Sequence, residues 1–502
     1  MQRLNFTKFR PVFARVLAIL LLAAVSSRAA SPVGDVVGKV TVGYQGWFAC
    51  GGDGSPMNNW WHWANNWGAL PSNSNKGIKA WPDVAEYTTT YQTGYGNLGN
   101  GNPAKLYSCW NQQTVNTHFL WMQQNGIDTA ALQRFNPNTQ EGPIRDAVAT
   151  RVRTAAETYG RKFLIMYDVS GWTSMQTEIK ADWTNKMKTH TTSGAYAKQN
   201  GKPVVCIWGF GFNDSNHPWS AAVCLDVINW FKGQGCYVVG GVPREWRTGV
   251  GGSRAGYIGV YHAFNMLSPW LIGAVGNVGD ADNIYNNFMV GDQSDCNANG
   301  VDYQPCVLPG DLSARQRVHG DLMWRMFYNA KRAGVQGIYI SMYDEYNEGN
   351  QIAKTAPDAS WIPAGSGYLG LDEDGTWCTS DYYLRLTGDG GKMLKGQIGL
   401  TSVRPTQPNP GAGTTVTFYQ DSNYGGAASQ ALPVGTYTLS QLASRGMPND
   451  WASSVRIPSG RTVIMYSDDN FSGTSWTRTS DTPAFSTLSP NANDQVSSVK
   501  VQ

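Results

Sequence analysis

Between residues 39 and 392 the chain alternates short apolar runs with longer stretches of helical spacing. Runs of branched and aromatic residues predict buried strands over 40–48, 104–110, 128–135, 162–168, 204–209, 237–242, 263–267 and 337–342. Apolar positions three and four apart predict helices over 114–125, 143–159, 219–235 and 314–333, and Pro218 suits a helix start. Strand–helix alternation of this kind implies a parallel sheet covered by helices. Eight strands in about 350 residues imply a (β/α)8 TIM barrel with long loops. A doubly wound open sheet is the competing arrangement.

The pattern changes near residue 404. The segment 405–413, Pro-Thr-Gln-Pro-Asn-Pro-Gly-Ala-Gly, has no large apolar residue to anchor a core. It reads as part of a linker over 405–414 between a barrel domain, 30–404, and a third region, 415–502. That last region is rich in Val, Thr, Tyr and Ser and reads as an all-β module. It repeats internally. Phe418–Gly426 returns as Met465–Gly473, and Asn449-Asp450-Trp451-Ala452-Ser453-Ser454 returns as Asn493-Asp494-Gln495-Val496-Ser497-Ser498. Two copies in the same order imply two similar units packed together.

The last barrel strand carries the strongest chemical signal. The apolar run Gly337–Met342 ends in Tyr343-Asp344-Glu345-Tyr346-Asn347-Glu348-Gly349. In a barrel, a strand that stops in three acids puts them at the catalytic mouth. Cleavage of a glycosidic bond needs a pair of carboxyl groups such as Glu345 and Glu348. The bland alternative, a solvated turn, competes with this reading for the segment alone. Other predicted strand ends carry Tyr44, Gln45, Trp47, Arg134, Asp168 and Trp208, and the pair Arg244 and Glu245 follows the sixth. For Arg134 a structural ion pair is the favoured reading over a ligand. Trp60-Trp61-His62-Trp63 follows a glycine-rich loop, and some of these rings are expected at the surface, where flat aromatic faces stack on sugars.

Charge changes little. Lys and Arg number 39 against 36 Asp and Glu. Arg3, Lys8, Arg10, Arg15 and Arg28 fall in the first 29 residues, and without them 34 basic residues face 36 acidic ones. Nothing here calls for a nucleic-acid partner. The basic start, the apolar run Val16 to Val25 and Ser27-Arg28-Ala29 read as a signal peptide over 1–29, hence a secreted or extracytoplasmic protein with no membrane span. Of the eight cysteines, Cys206, Cys224 and Cys236 read as core, while Cys50 with Cys109 and Cys296 with Cys306 are candidate disulfides. No Cys-x-x-Cys occurs, which argues against a zinc knuckle.

Two resemblances follow. The aromatic-glycine hairpins and both Asn-Asp-x-x-Ser-Ser stretches make 415–502 similar to βγ-crystallin domains. That implies two Greek keys and, because microbial members with intact motifs bind it, calcium at Asn449, Asp450, Trp451, Ser453, Asn493, Asp494, Gln495 and Ser497. Carboxylate, amide, hydroxyl and backbone oxygens are what a hard cation takes.

The barrel resembles the glycoside hydrolase family 99-like group, which includes endo-α-mannosidases and is distantly related to family 71 α-1,3-glucanases. The carriers are Gly43–Phe48 with Trp60–Trp63, and Asp344–Ile352, where Glu345–Ala353 stand against the family's Glu-Trp-His-Glu-Gly-Thr-Gln-Ile-Glu. This chain departs at Tyr346, Asn347, Asn350 and Ala353.

The resemblance implies a retaining mechanism. Glu348 acts as acid and then base, and Glu345 draws the proton from the sugar 2-hydroxyl, which attacks the anomeric carbon to give a 1,2-anhydro sugar. Trp61, His62, Tyr343 and Asn347 join the expected substrate-binding set. The expected partner is a polysaccharide or glycan bound by a monomer. The competing function is a carbohydrate-binding or calcium-stabilised surface protein without catalysis.

Overall fold

The computed structural model describes residues 30–409, 415–458 and 461–502. The expected signal segment and residues 410–414 of the expected linker lie outside them.

Eight parallel strands form the centre of the first region: β1 Val40–Tyr44, β2 Thr129–Arg134, β3 Lys162–Asp168, β4 Lys202–Trp208, β5 Tyr237–Val242, β6 Met266–Pro269, β7 in two parts, Asp302–Tyr303 and Cys306–Val307, and β8 Ile338–Ile340. The hydrogen-bonded order is β7-β6-β5-β4-β3-β2-β1-β8-β7. Its two ends are the two parts of one segment, so the sheet returns on itself. Between them, Gln304 N donates to Leu267 O (2.8 Å) and Tyr339 N to Pro305 O (3.1 Å), bonding the segment on both sides. The architecture is TIM-barrel-like, not an open sheet.

The strands are apolar on both faces because helices cover the outside. Among these are α1 Gln112–Gln124, α2 Gly142–Tyr159, α3 Met175–Asn185, α4 Ala221–Gly233, α5 Asp321–Ala333 and α6 Tyr382–Leu394. α2 carries Pro143 in its first turn and stops at Gly160, whose φ of 60° breaks the helix. α5 has Asp321 in its first turn and Lys331 and Arg332 in its last, matching the helix dipole at both ends.

The expected second strand, 104–110, is not in the barrel. Only Lys105–Leu106 is extended, pairing antiparallel with Tyr91–Gln92 in the long connection between β1 and α1. The strand missing from the sequence reading is β7. It is short, is interrupted at Gln304-Pro305 and carries polar residues that the fold satisfies: Tyr237 Oη donates to Asp302 (2.5 Å), and Gln304 Nε2 to Thr41 Oγ1 (3.3 Å). The candidate disulfides are not formed. All eight cysteines are buried free thiols; Cys50 donates to Tyr107 O, and Cys306 lies 2.8 Å from Ser341 Oγ. Among the described residues no helix is long and apolar enough to cross a membrane.

Residues 416–501 build a separate hydrophobic core. Its strands are β9 Thr417–Tyr419, β10 Gly435–Tyr437, β11 Ser454–Arg456, β12 Val463–Asp468, β13 Ser472–Arg478 and β14 Ser498–Val501, all paired antiparallel. The two repeats exchange strands. β10 of the first pairs with β14 of the second, and Thr482 of the second bridges Val455 of the first. Of the expected linker, residues 405–409 lie against α6: Arg385 donates to Gln407 O (2.8 Å) and Pro408 O (3.1 Å).

Candidate active site

A parallel strand presents alternate side chains to the two sides of the sheet. On β2, Gln133 points into the barrel and donates to Met342 Sδ (3.5 Å). Its neighbour Arg134 points out, to Asp182 of α3 (2.6 Å from Nε) and Asp146 of α2 (2.7 Å). On β1, Gly43 faces inward, where a β-carbon would collide with the Tyr339 hydroxyl and the Met342 sulfur. Tyr44 therefore faces outward, its hydroxyl 2.8 Å from His118 Nδ1. Gln45 turns back to the mouth.

The loop after β8 is tied down on all sides. Asp344, fully buried, accepts the Gln45 amide (2.7 Å) through one oxygen and the Gly46 amide (2.9 Å) through the other. Burial pushes its carboxyl up to about 6, against the pull of those two amides. At the far end, buried Arg317 donates to Gly310 O (3.0 Å), Gly349 O (2.8 Å) and Gln351 O (2.8 Å). Asn347 Nδ2 donates to His62 O (2.8 Å) and Gly77 O (2.9 Å), tying the loop to the tryptophan-rich connection.

Between these anchors sit the two glutamates. Glu345 is buried, and Gln45 Nε2 donates to its Oε2 at 2.5 Å. Burial raises its pKa well above the ordinary glutamate value, and the charges of Glu348 and Asp344 add to the effect; the Gln45 amide and Arg145 oppose it. Glu348 is exposed and accepts from Asn350 Nδ2 (3.1 Å). Both line a cleft of ≈ 270 Å³ with Gln45, Trp47, Gln133, Phe135, Asp168, Ser170, Trp208, Trp270, Ile272 and Met342. A second hollow of ≈ 630 Å³, walled by the loop 272–276 with Lys79, Asp311 and Asn350, shares Glu348 and Ile272 with the first. Glu348 thus stands where two hollows meet.

Of the sequence candidates, Gln45, Trp47, Asp168, Trp208, Glu345 and Glu348 come together in the cleft. Trp47 does not offer a free face. His62 stacks on it at 3.7 Å, Phe135 stacks at 5.7 Å, and the Arg145 guanidinium lies 5.4 Å from its ring. Trp208 and Trp270 meet edge to face at 5.3 Å and form a corner of the wall.

The remaining candidates lie elsewhere. Tyr44 and Tyr343 pack around His118 behind the barrel wall, and Tyr343 Oη donates to His118 O (3.0 Å). Arg134 is a buried ion-pair partner, as the favoured reading had it. Arg244 and Glu245 bind each other and do not line the cleft. Trp61 and His62 support the wall from behind. Trp61 Nε1 donates to Glu141 (3.3 Å), and burial lowers His62 to about 4. Trp60, Trp61 and Trp63 are all buried, contrary to the expected exposure, because Phe48 stacks on Trp63 at 3.9 Å and Trp67 covers Trp61.

Sequence reasoning missed Gln133, Phe135, Ser170, Trp270, Ile272 and Met342. Strand parity identifies Gln133 at once, since it is the inward neighbour of Arg134. The β6 end, two residues beyond its expected stop, would have identified Trp270.

In the 415–502 region the two repeats make matching hydrogen bonds. Ser454 Oγ accepts the Tyr424 amide (3.1 Å) and donates to Asp421 O (2.7 Å); Ser498 Oγ accepts the Phe471 amide (2.9 Å) and donates to Asp468 O (2.7 Å). The second serine of each motif is thus used by the fold. The first serine reaches across to the other motif: Ser453 Oγ lies 3.3 Å from Asp494 Oδ1, and Ser497 Oγ lies 2.7 Å from Asn449 Oδ1. Asn449 and Asn493 each donate to their own neighbouring aspartate at 2.8 Å. Among the described residues no three His, Cys, Asp or Glu side chains gather as a metal centre. Each clustered set here has one carboxylate plus amide and hydroxyl oxygens, a donor set that fits a hard cation and no soft one.

No family model matches the chain. Its fold is similar to the structure of the GH99 endo-alpha-mannosidase from Bacteroides thetaiotaomicron, with a TM-score of 0.50 and 13% identity over 72% of this chain and 98% of that one. A betagamma-crystallin domain from Clostridium beijerinckii is 54% identical over 17% of this chain and 95% of its own, with a TM-score of 0.16. Development-specific protein S of Myxococcus xanthus is 38% identical over 58 residues, 12% of this chain and 33% of that protein. The match thus spans about a third of the length of that curated relative.

Proposed function

We propose that this chain is a secreted, retaining glycoside hydrolase that cleaves an α-linked polysaccharide such as α-mannan, with 415–502 as a calcium-binding βγ-crystallin-like accessory. The observation that carries the catalytic reading is the pairing of unlike carboxyl groups in one aromatic cleft. Glu345 is buried against Gln45, and Glu348 is open to solvent where two hollows meet. The fold shared with an endo-alpha-mannosidase agrees with it.

In this reading, Glu345 takes the proton of the sugar 2-hydroxyl as that oxygen attacks the anomeric carbon. Glu348 gives its proton to the departing glycosidic oxygen. It then takes one from the water that attacks the anomeric carbon, while Glu345 returns its proton to the O2 released as the 1,2-anhydro ring opens. Burial suits Glu345 to the first role, because a carboxylate with raised proton affinity is a stronger base once ionised. Exposure suits Glu348 to the second, which needs access to water.

The crystallin-like likeness is assigned to 415–502 on its doubled Asn-Asp-x-x-Ser-Ser motif and exchanged strands. Calcium would be held by Ser453 with Asn493 and Asp494, and by Ser497 with Asn449 and Asp450, joined by main-chain oxygens of Trp451 and Gln495.

The deciding experiment is product analysis on α-mannan and α-1,3-glucan, wild type beside Glu348→Gln, with the anomer read by proton NMR. Retained configuration and an inactive variant are expected. Full activity in Glu348→Gln would overturn the assignment.

A further inference from the structure

Three strands round the barrel from β8, the cleft wall holds a hydrogen-bonded chain that the catalytic pair does not use. Asp168, at the end of β3, accepts both the Ser170 amide (2.9 Å) and the Ser170 hydroxyl (2.6 Å) on Oδ1. Its Oδ2 has no protein partner among the described residues. Ser170 Oγ lies 3.0 Å from His217 Nε2, and His217 Nδ1 lies 2.7 and 2.9 Å from the two oxygens of Asp214. His217 is buried beside Trp208 and Phe212. Arg254 fixes the turn by donating to Asp214 O (3.0 Å) and His217 O (2.9 Å).

Ser170 has one hydroxyl proton, and its shorter contact is to Asp168. Burial raises the Asp168 carboxyl above its ordinary value, and the hydroxyl and amide bonds from Ser170 oppose that shift. Arg145 also lies near Asp168, behind Trp47 and Phe135, and donates to Gln45 O (2.8 Å).

A serine, a histidine and an aspartate in sequence also describe a nucleophilic triad. The surroundings exclude that use here. The serine proton is directed to Asp168, and the nearby Ser170 and Gly171 amides are taken by Asp168 and Asn216 O (2.9 Å), leaving neither for an oxyanion.

We propose that Asp168 is a third substrate-facing carboxylate, accepting a hydroxyl of the sugar ring seated against Trp208 and Trp270, and that Ser170, His217 and Asp214 are positioning residues that hold it as an oriented acceptor. The proposal rests on the glycosidase reading for the identity of its ligand; the chain itself does not.

The test has two arms on the full chain. In kinetics with α-manno- and α-1,3-gluco-oligosaccharides, Asp168→Asn and His217→Gln should raise KM about tenfold or more, the loss of one charge-assisted hydrogen bond, with kcat within about threefold. Ser170→Ala should do the same, and Ser170→Thr should restore binding. In nitrogen NMR of the imidazole, Asp168→Asn and Ser170→Ala should each move the His217 Nε2 resonance, because Ser170 links the two side chains. An unchanged KM in Asp168→Asn, with the wild type turning over, overturns the acceptor role. A His217 Nε2 resonance indifferent to both Asp168→Asn and Ser170→Ala overturns the chain, whatever the substrate. A wild type that cleaves neither glycan defeats the glycosidase reading and the sugar acceptor with it, while the NMR arm still decides the chain.

Discussion

Gln45 Nε2 donates to Glu345 Oε2 at 2.5 Å, joining the first strand of the barrel to the loop after the last. The same Gln45 gives its main-chain N–H to Asp344 (2.7 Å). One residue therefore holds one carboxyl group through its side chain and, through its main-chain N–H, favours the ionised form of the neighbouring one against burial.

That contact has a consequence for pH dependence. A hydrogen bond donated to a carboxylate favours the ionised form, and burial opposes it. Glu345 must be ionised to take a proton, and its pKa is raised. Activity should therefore fall as pH drops through a value above the ordinary glutamate range of about 4.3. Gln45→Leu removes the donor, so the acid limb of kcat/KM should move to still higher pH. An acid limb that stays in place or moves down would show that Glu345 is not the base.

The roles of the two glutamates separate by substrate. Glu348→Gln should lower turnover about 100-fold or more on a natural glycan, the usual worth of general acid–base assistance. The loss should shrink for a glycoside whose leaving group needs no proton. Glu345→Gln should lose activity on every substrate, and 2-deoxy glycosides should not be cleaved. A 2-fluoro glycoside that leaves a covalent adduct on Glu345, seen by mass spectrometry, would replace the 1,2-anhydro route with direct nucleophilic attack.

The barrel was legible because parallel strands covered on both sides are continuous apolar runs, and β3 and β5 fall where those runs predict. β7 was not legible. A strand of two and two residues around Gln304-Pro305, with Asp302 at its head, has no apolar pattern to read. The site followed the same divide. Glu345, Glu348, Asp168 and Trp208 are read from strand ends, whereas Tyr44 was misplaced because being near a strand end says nothing about which side a residue faces. The tryptophans of 60–63 were misjudged for a related reason. Packing among aromatics from distant loops decides their burial, and no local pattern encodes it.

Arg134, on the outward side of its strand, gives a test of that division. Its guanidinium is buried between Asp182 and Asp146, and Tyr167 Oη also donates to Asp182 (2.8 Å). Removing one member of a buried ion pair strands the other, at a typical cost of about 3–5 kcal/mol. Arg134→Met should lower the denaturant midpoint accordingly. The folded fraction should keep its KM, because the side chain faces the helices. A raised KM with unchanged stability would return Arg134 to the cleft.

The two serines of each Asn-Asp-x-x-Ser-Ser motif should behave differently. Ser453 and Ser497 cross to the opposite motif, at Asp494 and Asn449, while Ser454 and Ser498 bridge main-chain groups of their own repeat. Calorimetry on the full chain should find about two calcium ions, one for each crossing pair. A ligand bound only by the native state stabilises it by about 2.7 kcal/mol at a hundredfold excess over its dissociation constant, so melting of this region should rise with calcium and fall with chelator. Ser453→Arg and Ser497→Arg should each remove one ion, since a bulky cation replaces an oxygen. Ser454→Ala should lower the melting temperature yet leave the stoichiometry unchanged, because its hydroxyl serves the fold. If calorimetry gives no calcium heat and chelator does not move the melt, the paired motifs are structural and the cation has no place in them.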